Sequence, residues 1–204
     1  MMDKEQRTFH ISGLEIRSLD EQKETPQITG YGAVFNSPAN IGGMFTEVIA
    51  PGAFSRALAN QSDVRALFNH NWDYVLGRTR SGTLTLEEDD KGLKFTVTPP
   101  ATSWASDLRS SMERGDINQC SFGFNVIKDE WNYETEPVTR TIQEVELFEI
   151  SVVAFPAYEE TEAVLRSGDI YKRAKKEHEL RMKKQQIINK IQEATKNEKD
   201  SYET

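Results

Sequence analysis

Residues 119–127 read Gln-Cys-Ser-Phe-Gly-Phe-Asn-Val-Ile, with apolar side chains at every second position. A period of two predicts a β-strand that turns one face toward a core. The apolar face carries Phe122, Phe124 and Val126. The opposite face carries Ser121, Gly123 and Asn125, so a serine hydroxyl lies beside a glycine whose missing side chain leaves room for a substrate backbone.

The segments around this strand predict a mainly β fold with flanking helices, of the α+β class. Strands are expected at about 28–35, 64–68, 83–86, 93–97 and 138–155. Gly92 is expected in the hairpin turn between the third and fourth of these strands. Short helices are expected at 53–59 and 104–112. Many short strands with few helices favour a closed or nearly closed β-barrel.

The composition changes near residue 168 and predicts two parts, a domain over 1–167 and a tail over 168–204. The tail is rich in Lys, Glu and Gln, so a charged helix is expected at 171–195 and disorder at 196–204. The net charge of −8 comes from the domain, because the tail has a small basic excess. An acidic domain repels phosphates, so no direct nucleic-acid partner is expected, and the mixed charges of the tail are typical of a solvated helix face.

Several classes of protein are disfavoured by composition. No run of residues is long and apolar enough to span a bilayer, and residues 1–7 are polar, unlike a signal peptide, so no membrane association is expected. One cysteine excludes an internal disulfide framework and suits a reducing cytoplasm. With only three scattered histidines, a zinc site is not expected, and nothing predicts a cofactor.

His70 follows the apolar run 64–68 and is the candidate general base. An imidazole titrates near neutrality, so it can take a proton from a hydroxyl and return it. A histidine at a strand end can also serve only as a hydrogen-bonding side chain. His10 lies in a polar N-terminal segment and His178 in the charged tail, so His70 is the strongest candidate of the three.

Ser121 is the candidate nucleophile, and Cys120 is its rival. The alternation of the strand puts their side chains on opposite faces, so only one of them can meet His70. A cysteine next to a histidine attacks well as a thiolate, which leaves a cysteine hydrolase open. The apolar face is the expected place of Cys120, where it would be buried and unreactive.

Glu149 is the preferred candidate for a carboxylate that orients the imidazole, ahead of Glu146 and Glu144. It interrupts the otherwise apolar stretch 147–153, Leu-Phe-Glu-Ile-Ser-Val-Val. A carboxylate in such surroundings is costly to bury unless it has a partner.

Six sequence segments, in this order, resemble the prohead (capsid maturation) serine proteases of tailed phages, a family similar in fold to the herpesvirus assemblin proteases. The segments are Gly-Tyr-Gly-Ala-Val-Phe-Asn at 30–36, Glu-Val-Ile-Ala-Pro-Gly-Ala-Phe at 47–54, Phe-Asn-His-Asn at 68–71 with Leu-Gly-Arg at 76–78, Gly-Asp-Ile at 115–117 before Ser-Phe-Gly-Phe at 121–124, the stretch 147–153, and Pro-Ala at 156–157. Together they cover about residues 10–167.

The resemblance implies an assemblin-like closed β-barrel and a serine endopeptidase with His70 as base, Ser121 as nucleophile and Glu149 as the third member. It further implies cleavage of the scaffold segment of the major capsid protein, and of the chain's own tail, inside an assembling procapsid in the host cytoplasm or from a prophage. Dimers occur among assemblins, so a dimer is a further expectation. A different class also remains open: a non-enzymatic internal scaffold protein that binds coat subunits.

Overall fold

The computed structural model describes residues 5–10, 15–17, 26–154 and 161–202. Its strands are β1 (Glu5–His10), β2 (Glu15–Arg17), β3 (Gln27–Val34), β4 (Ala39–Ile41), β5 (Phe45–Ile49), β6 (Arg65–Phe68), β7 (Asn71–Arg78), β8 (Leu84–Glu88), β9 (Gly92–Val97), β10 (Gln119–Asn132) and β11 (Thr139–Val153). Its helices are α1 (Ser55–Ala59), α2 (Ser103–Glu113) and α3 (Thr161–Tyr202), with a 3₁₀ turn at Thr79–Ser81. The predicted mainly β fold with a few helices is confirmed.

The larger sheet is built on the long antiparallel pair of β10 and β11. β1 pairs with the outer edge of β10, and two short strands pair in parallel with different halves of β11. β5 lies along residues 139–142 of β11, whereas β6 lies along residues 149–152. Because β11 is shared by two strands end to end, the sheet branches and stays open. The expected closed barrel is therefore wrong for the part of the chain that the structure describes.

The smaller sheet has the order β2-β3-β9-β8 and includes the predicted hairpin. The sequence predicts Gly92 in the hairpin turn. In the structure it is instead the first residue of β9. A Cβ at this position would overlap the carbonyl oxygen of Ala33 on β3. The glycine therefore permits close pairing of two strands across a bulge between Tyr31 and Ala33.

The hydrophobic core contains side chains from both sheets. Phe122 and Phe124 of β10 stack with their ring centroids 4.6 Å apart, and Phe54 meets Phe122 edge-on at 5.5 Å. Ile150 of β11 lies against the backbone of Gly32 in β3, 3.0 Å from where a Cβ would be. The predicted core face of β10 is thus buried, and its opposite face is left for polar side chains.

Four charged side chains at one end of the core form what we call the ion-pair cluster: Glu5, Arg7, Glu47 and Arg140. All four are buried. Arg140 donates to Glu5 at 2.9 Å and to Glu47 at 3.0 Å, and Arg7 donates to Glu47 at 3.0 Å. Two cations and two anions at this depth join β1 to β5 and β11.

The chain divides into two compact units, 1–164 and 165–204. Helix α3 is longer than predicted, because the segment expected to be disordered at 196–204 is helical as far as Tyr202. Ala194, Lys196 and Lys199 have good helix propensity, and that propensity outweighs the polar composition of the segment. The domain limits at 167 and 168 stay a prediction. Among the described residues, no helix is long and apolar enough to cross a membrane.

Candidate active site

His70 lies at the tip of a two-residue hairpin loop. Phe68 of β6 pairs with Asn71 of β7, and the two residues between them have positive φ, 51° at Asn69 and 57° at His70. Two successive residues in this region form the turn that matches the twist of a hairpin. Neither is glycine, so the loop carries backbone strain that its surroundings must offset.

Three hydrogen bonds fasten the hairpin tip to β11 and the residue after it. The N–H of Asn69 donates to the carbonyl of Val152 at 2.9 Å, and its side-chain oxygen accepts from the N–H of Ala154 at 2.9 Å. The N–H of His70 donates to Ser151 Oγ at 3.2 Å. The strained loop is thus held in place, with the imidazole over the polar face of β10 and β11.

The imidazole of His70 meets the carboxylate of Glu149. Nδ1 of His70 is 2.7 Å from Glu149 Oε1, and the Glu149 side chain is 1 % exposed. An ionised carboxylate can only accept, so in the neutral imidazole Nδ1 carries the proton and Nε2 presents its lone pair. The second oxygen, Oε2, accepts from Ser151 Oγ at 2.6 Å. The structure thus brings together two of the three predicted site residues.

Gly123 has a different function from the one expected. It pairs with Glu149 across the two strands, and a Cβ on it would overlap Glu149 Oε1. The missing side chain therefore leaves room for the carboxylate, which lies against the backbone of Gly123 and contacts His70. The expectation that this room receives a substrate backbone is corrected.

Ser121 is on the same face, directly opposite Ser151, and is completely buried. Its hydroxyl donates to the carbonyl oxygen of Arg7 in β1 at 2.9 Å. His70 Nε2 is buried and accepts no hydrogen bond from the described residues. The structure places Ser121 and His70 on one face of the sheet but does not join them by a hydrogen bond.

The rival carboxylates lie elsewhere. Glu146 accepts from Asn125 at 3.2 Å, and Glu144 pairs with Arg56 of α1. Both therefore have partners away from His70. A bulge in the pairing of β10 with β11 between Gly123 and Phe124 shifts the register, so alternation counted along β11 is interrupted there.

Cys120 lies on the core face, where burial raises the pKa of its thiol. It is completely buried, and it pairs across the sheet with Val152. A thiol that resists ionisation and faces away from His70 is a poor nucleophile. The described geometry therefore disfavours the cysteine hydrolase alternative.

From the sequence, two backbone segments are alternative sources of N–H donors for an oxyanion, the turn at 155–157 and the segment 77–78. Residues 155–157 lie outside the described residues. The N–H of Arg78 already donates to Thr83 Oγ1 at 2.9 Å, and a Cβ at Gly77 would overlap Val97 of β9 and the carbonyl oxygen of Thr83. The Arg78 N–H is therefore not a free donor, and Gly77 permits a close contact between the two sheets.

Sequence reasoning missed Asn69 and Ser151. Asn69 enters the prediction only as part of the Phe-Asn-His-Asn segment at 68–71, although a two-residue Asn-His loop between two strands is a hairpin signal. Ser151 follows Glu149 by two residues, and strand alternation puts both on one face. In the described part of the chain, no group of three or more His, Cys, Asp or Glu side chains could hold a metal ion.

A histidine that contacts a buried carboxylate, on the same sheet face as a buried serine, comprises the types of side chain that a serine hydrolase uses. The sequence matches the model of the caudovirus prohead serine proteases over residues 12–176. The chain belongs to this family and is a serine peptidase.

Two individual proteins resemble the chain. It is 39 % identical over 168 residues to the prohead protease of Enterobacteria phage HK97, a match that covers 80 % of this chain and 70 % of that protein. The bacteriophage T4 capsid assembly protease has a TM-score of 0.47 at 10 % identity, covering 76 % of this chain and 97 % of that one.

Proposed function

We propose that this chain is a capsid maturation endopeptidase that cleaves peptide bonds with Ser121 as nucleophile, His70 as general base and Glu149 as the orienting acid. The observation that carries the proposal is the contact of 2.7 Å between His70 Nδ1 and the buried Glu149. In the neutral imidazole it leaves the proton off Nε2, which has no hydrogen-bond partner among the described residues and lies on the face that also carries Ser121.

Catalysis begins when the Ser121 hydroxyl leaves the Arg7 carbonyl and turns toward His70 Nε2. Oγ then attacks the peptide carbonyl, and its proton passes to Nε2. Glu149 holds the imidazole by its Nδ1–H and stabilises the imidazolium that forms. His70 gives the proton to the leaving amine, and water hydrolyses the acyl-enzyme by the same sequence of steps.

The substrate is the scaffold segment of a major capsid protein, and the chain's own tail at 168–204 is a second substrate. Membership of a prohead protease family supports action on capsid proteins. The place of action is the assembling procapsid in the host cytoplasm, from an infecting phage or a prophage. The self-processing and dimeric forms follow from resemblance to the family alone.

The test compares the purified chain with its Ser121→Ala variant by intact-mass spectrometry after incubation at neutral pH. The original chain should shorten near its tail, and the variant should not. A fluorophosphonate probe, followed by peptide mapping, should label Ser121. Ser110→Ala is the matched control, because Ser110 Oγ donates only to Ser106 within α2.

If neither protein shortens, both are co-expressed with a coat protein that carries its scaffold segment. Absence of cleavage there, together with absence of probe on Ser121, would favour the non-enzymatic scaffold alternative. Cleavage by Ser121→Ala at the original rate would remove this residue as the nucleophile.

A further inference from the structure

Ser151 lies between the backbone of the proposed base and the side chain of the proposed acid. It is completely buried on β11, directly opposite Ser121. Its hydroxyl accepts a hydrogen bond from the His70 N–H at 3.2 Å and donates one to Glu149 Oε2 at 2.6 Å. One hydroxyl thus contacts both members of the pair that the proposed chemistry uses.

The direction of the Ser151 proton is set by these two neighbours. A backbone N–H can only donate, so it occupies a lone pair of Ser151 Oγ. An ionised carboxylate can only accept, so the single hydroxyl proton points to Glu149 Oε2. The other carboxylate oxygen, Oε1, is then left for His70 Nδ1. Both oxygens of Glu149 have a donor, which fixes the rotation of the carboxylate.

A carboxylate buried without a cation depends on such donors. Among the described residues, the hydrogen-bonding partners of the Glu149 side chain are His70 and Ser151, and neither is a permanent cation. A hydrogen bond to a charged group is stronger than one between neutral groups. Loss of the Ser151 hydroxyl would leave Oε2 buried without a partner and free the carboxylate to turn away from His70.

We propose that Ser151 is a positioning residue, whose hydroxyl fixes the Glu149 carboxylate and the His70 loop in the geometry that the reaction requires. Its effect on rate rests on the proposed function, whereas its effect on His70 does not. The role differs from that of Ser121, because Ser151 Oγ is committed to two fixed partners and keeps its proton.

The first test is a double-mutant cycle with Ser151→Ala and Glu149→Gln, measured as the rate at which a fluorophosphonate labels Ser121. Ser151→Ala alone should slow labelling about tenfold to hundredfold, as expected for a lost hydrogen bond to a charged group. In the Glu149→Gln background its further loss should be clearly smaller, since the larger part of the Ser151 effect passes through that carboxylate and only the contact with the His70 N–H remains. Additive losses in the cycle would overturn the proposal.

The second test is independent of catalysis. The far-downfield proton resonance of His70 Nδ1–H, assigned by its disappearance in His70→Gln, should shift or broaden in Ser151→Ala. It should be unchanged in Ser110→Ala. An unchanged resonance in folded Ser151→Ala would contradict the proposal even if labelling slowed. If the original chain is not labelled at all, the proposed function fails, and the resonance still decides the role of Ser151.

Discussion

The two faces of the β10–β11 pair each bury carboxylates, but with different partners. On the core side, Glu5 and Glu47 are matched by Arg7 and Arg140, and the Arg7 guanidinium lies 5.7 Å from the centre of the Phe124 ring. On the other face, Glu149 is held by an imidazole and a hydroxyl. The arginines of the ion-pair cluster carry permanent positive charge beside Glu5 and Glu47. The two hydrogen-bonding partners of Glu149 carry none.

This difference separates a structural role from a chemical one. A carboxylate paired with arginines is neutralised at all times, so it holds strands together but has nothing to exchange. A carboxylate paired with histidine gains a compensating charge only when the imidazole takes a proton. The proposed reaction requires that event when the Ser121 proton moves to His70, and under this mechanism the pairing would stabilise the charged intermediate more than the resting state.

The largest expected effect is a loss of activity when Glu149 is substituted. Under the proposed mechanism, Glu149→Gln should lower the rate of Ser121 labelling on the order of 10³- to 10⁴-fold, because an amide does not hold the required tautomer or stabilise the imidazolium. The measurement is the labelling rate at neutral pH beside a urea unfolding curve. A variant that stays folded and keeps its labelling rate would remove Glu149 from the mechanism.

The corresponding change in the ion-pair cluster should affect stability instead. Glu47→Gln leaves Arg7 and Arg140 buried with too little negative charge, which should cost about 3 to 5 kcal/mol in the free energy of unfolding. Glu87→Gln is the control, because Glu87 is 57 % exposed and pairs with Lys94 at the surface. That control should lose less than about 1 kcal/mol. Equal losses in both variants would mean that the cluster adds no stability beyond a surface pair.

The cluster also predicts how stability depends on acid. Burial opposes ionisation of Glu5, but Arg7 and Arg140 outweigh it, so the pKa of Glu5 lies below its ordinary value. A lowered pKa in the folded state contributes stability above the pKa of the unfolded chain, and that contribution is lost as pH falls through the folded pKa.

Urea unfolding at about pH 7 and about pH 4 tests this sign. The original chain should lose stability on acidification, and Glu5→Gln should lose less, since that position no longer takes up a proton. Glu87→Gln should behave as the original chain does. A larger acid loss in Glu5→Gln than in the original chain would reverse the sign and refute the role of the cluster.

Periodicity predicted the parts of the fold that depend on local sequence. The alternation around Ser121 located β10 and its core face, and the spacing of Trp104, Leu108 and Met112 located α2. The open sheet was not predictable in this way, because it arises from two short strands sharing β11 in parallel. Such pairings join residues far apart in sequence and leave no local signal.

The candidate site was likewise predictable only where it depends on local sequence. His70, Ser121 and Glu149 were selected from residue type and position on strands, and the structure joins the first and third. The surroundings of these three residues could not be predicted from the sequence. Gly123 matters because its missing side chain leaves room for the Glu149 side chain of the neighbouring strand. The Arg7 carbonyl that accepts from Ser121 comes from β1, and no pattern in residues 5–10 connects that strand with β10.

The smallest expected effect concerns Cys120, which is adjacent to Ser121 but faces the core. Burial raises the pKa of its thiol, so iodoacetamide added to the folded chain should leave Cys120 unmodified. Cys120→Ala removes one buried atom and should cost about 1 kcal/mol of stability, with Ser121 labelling changed less than about twofold. Rapid alkylation of the folded chain that also stopped cleavage would reinstate a cysteine nucleophile. Alkylation that is slow and proceeds only as the chain unfolds would instead show that Cys120 is unreactive because it faces the core, although it is adjacent to Ser121 in sequence.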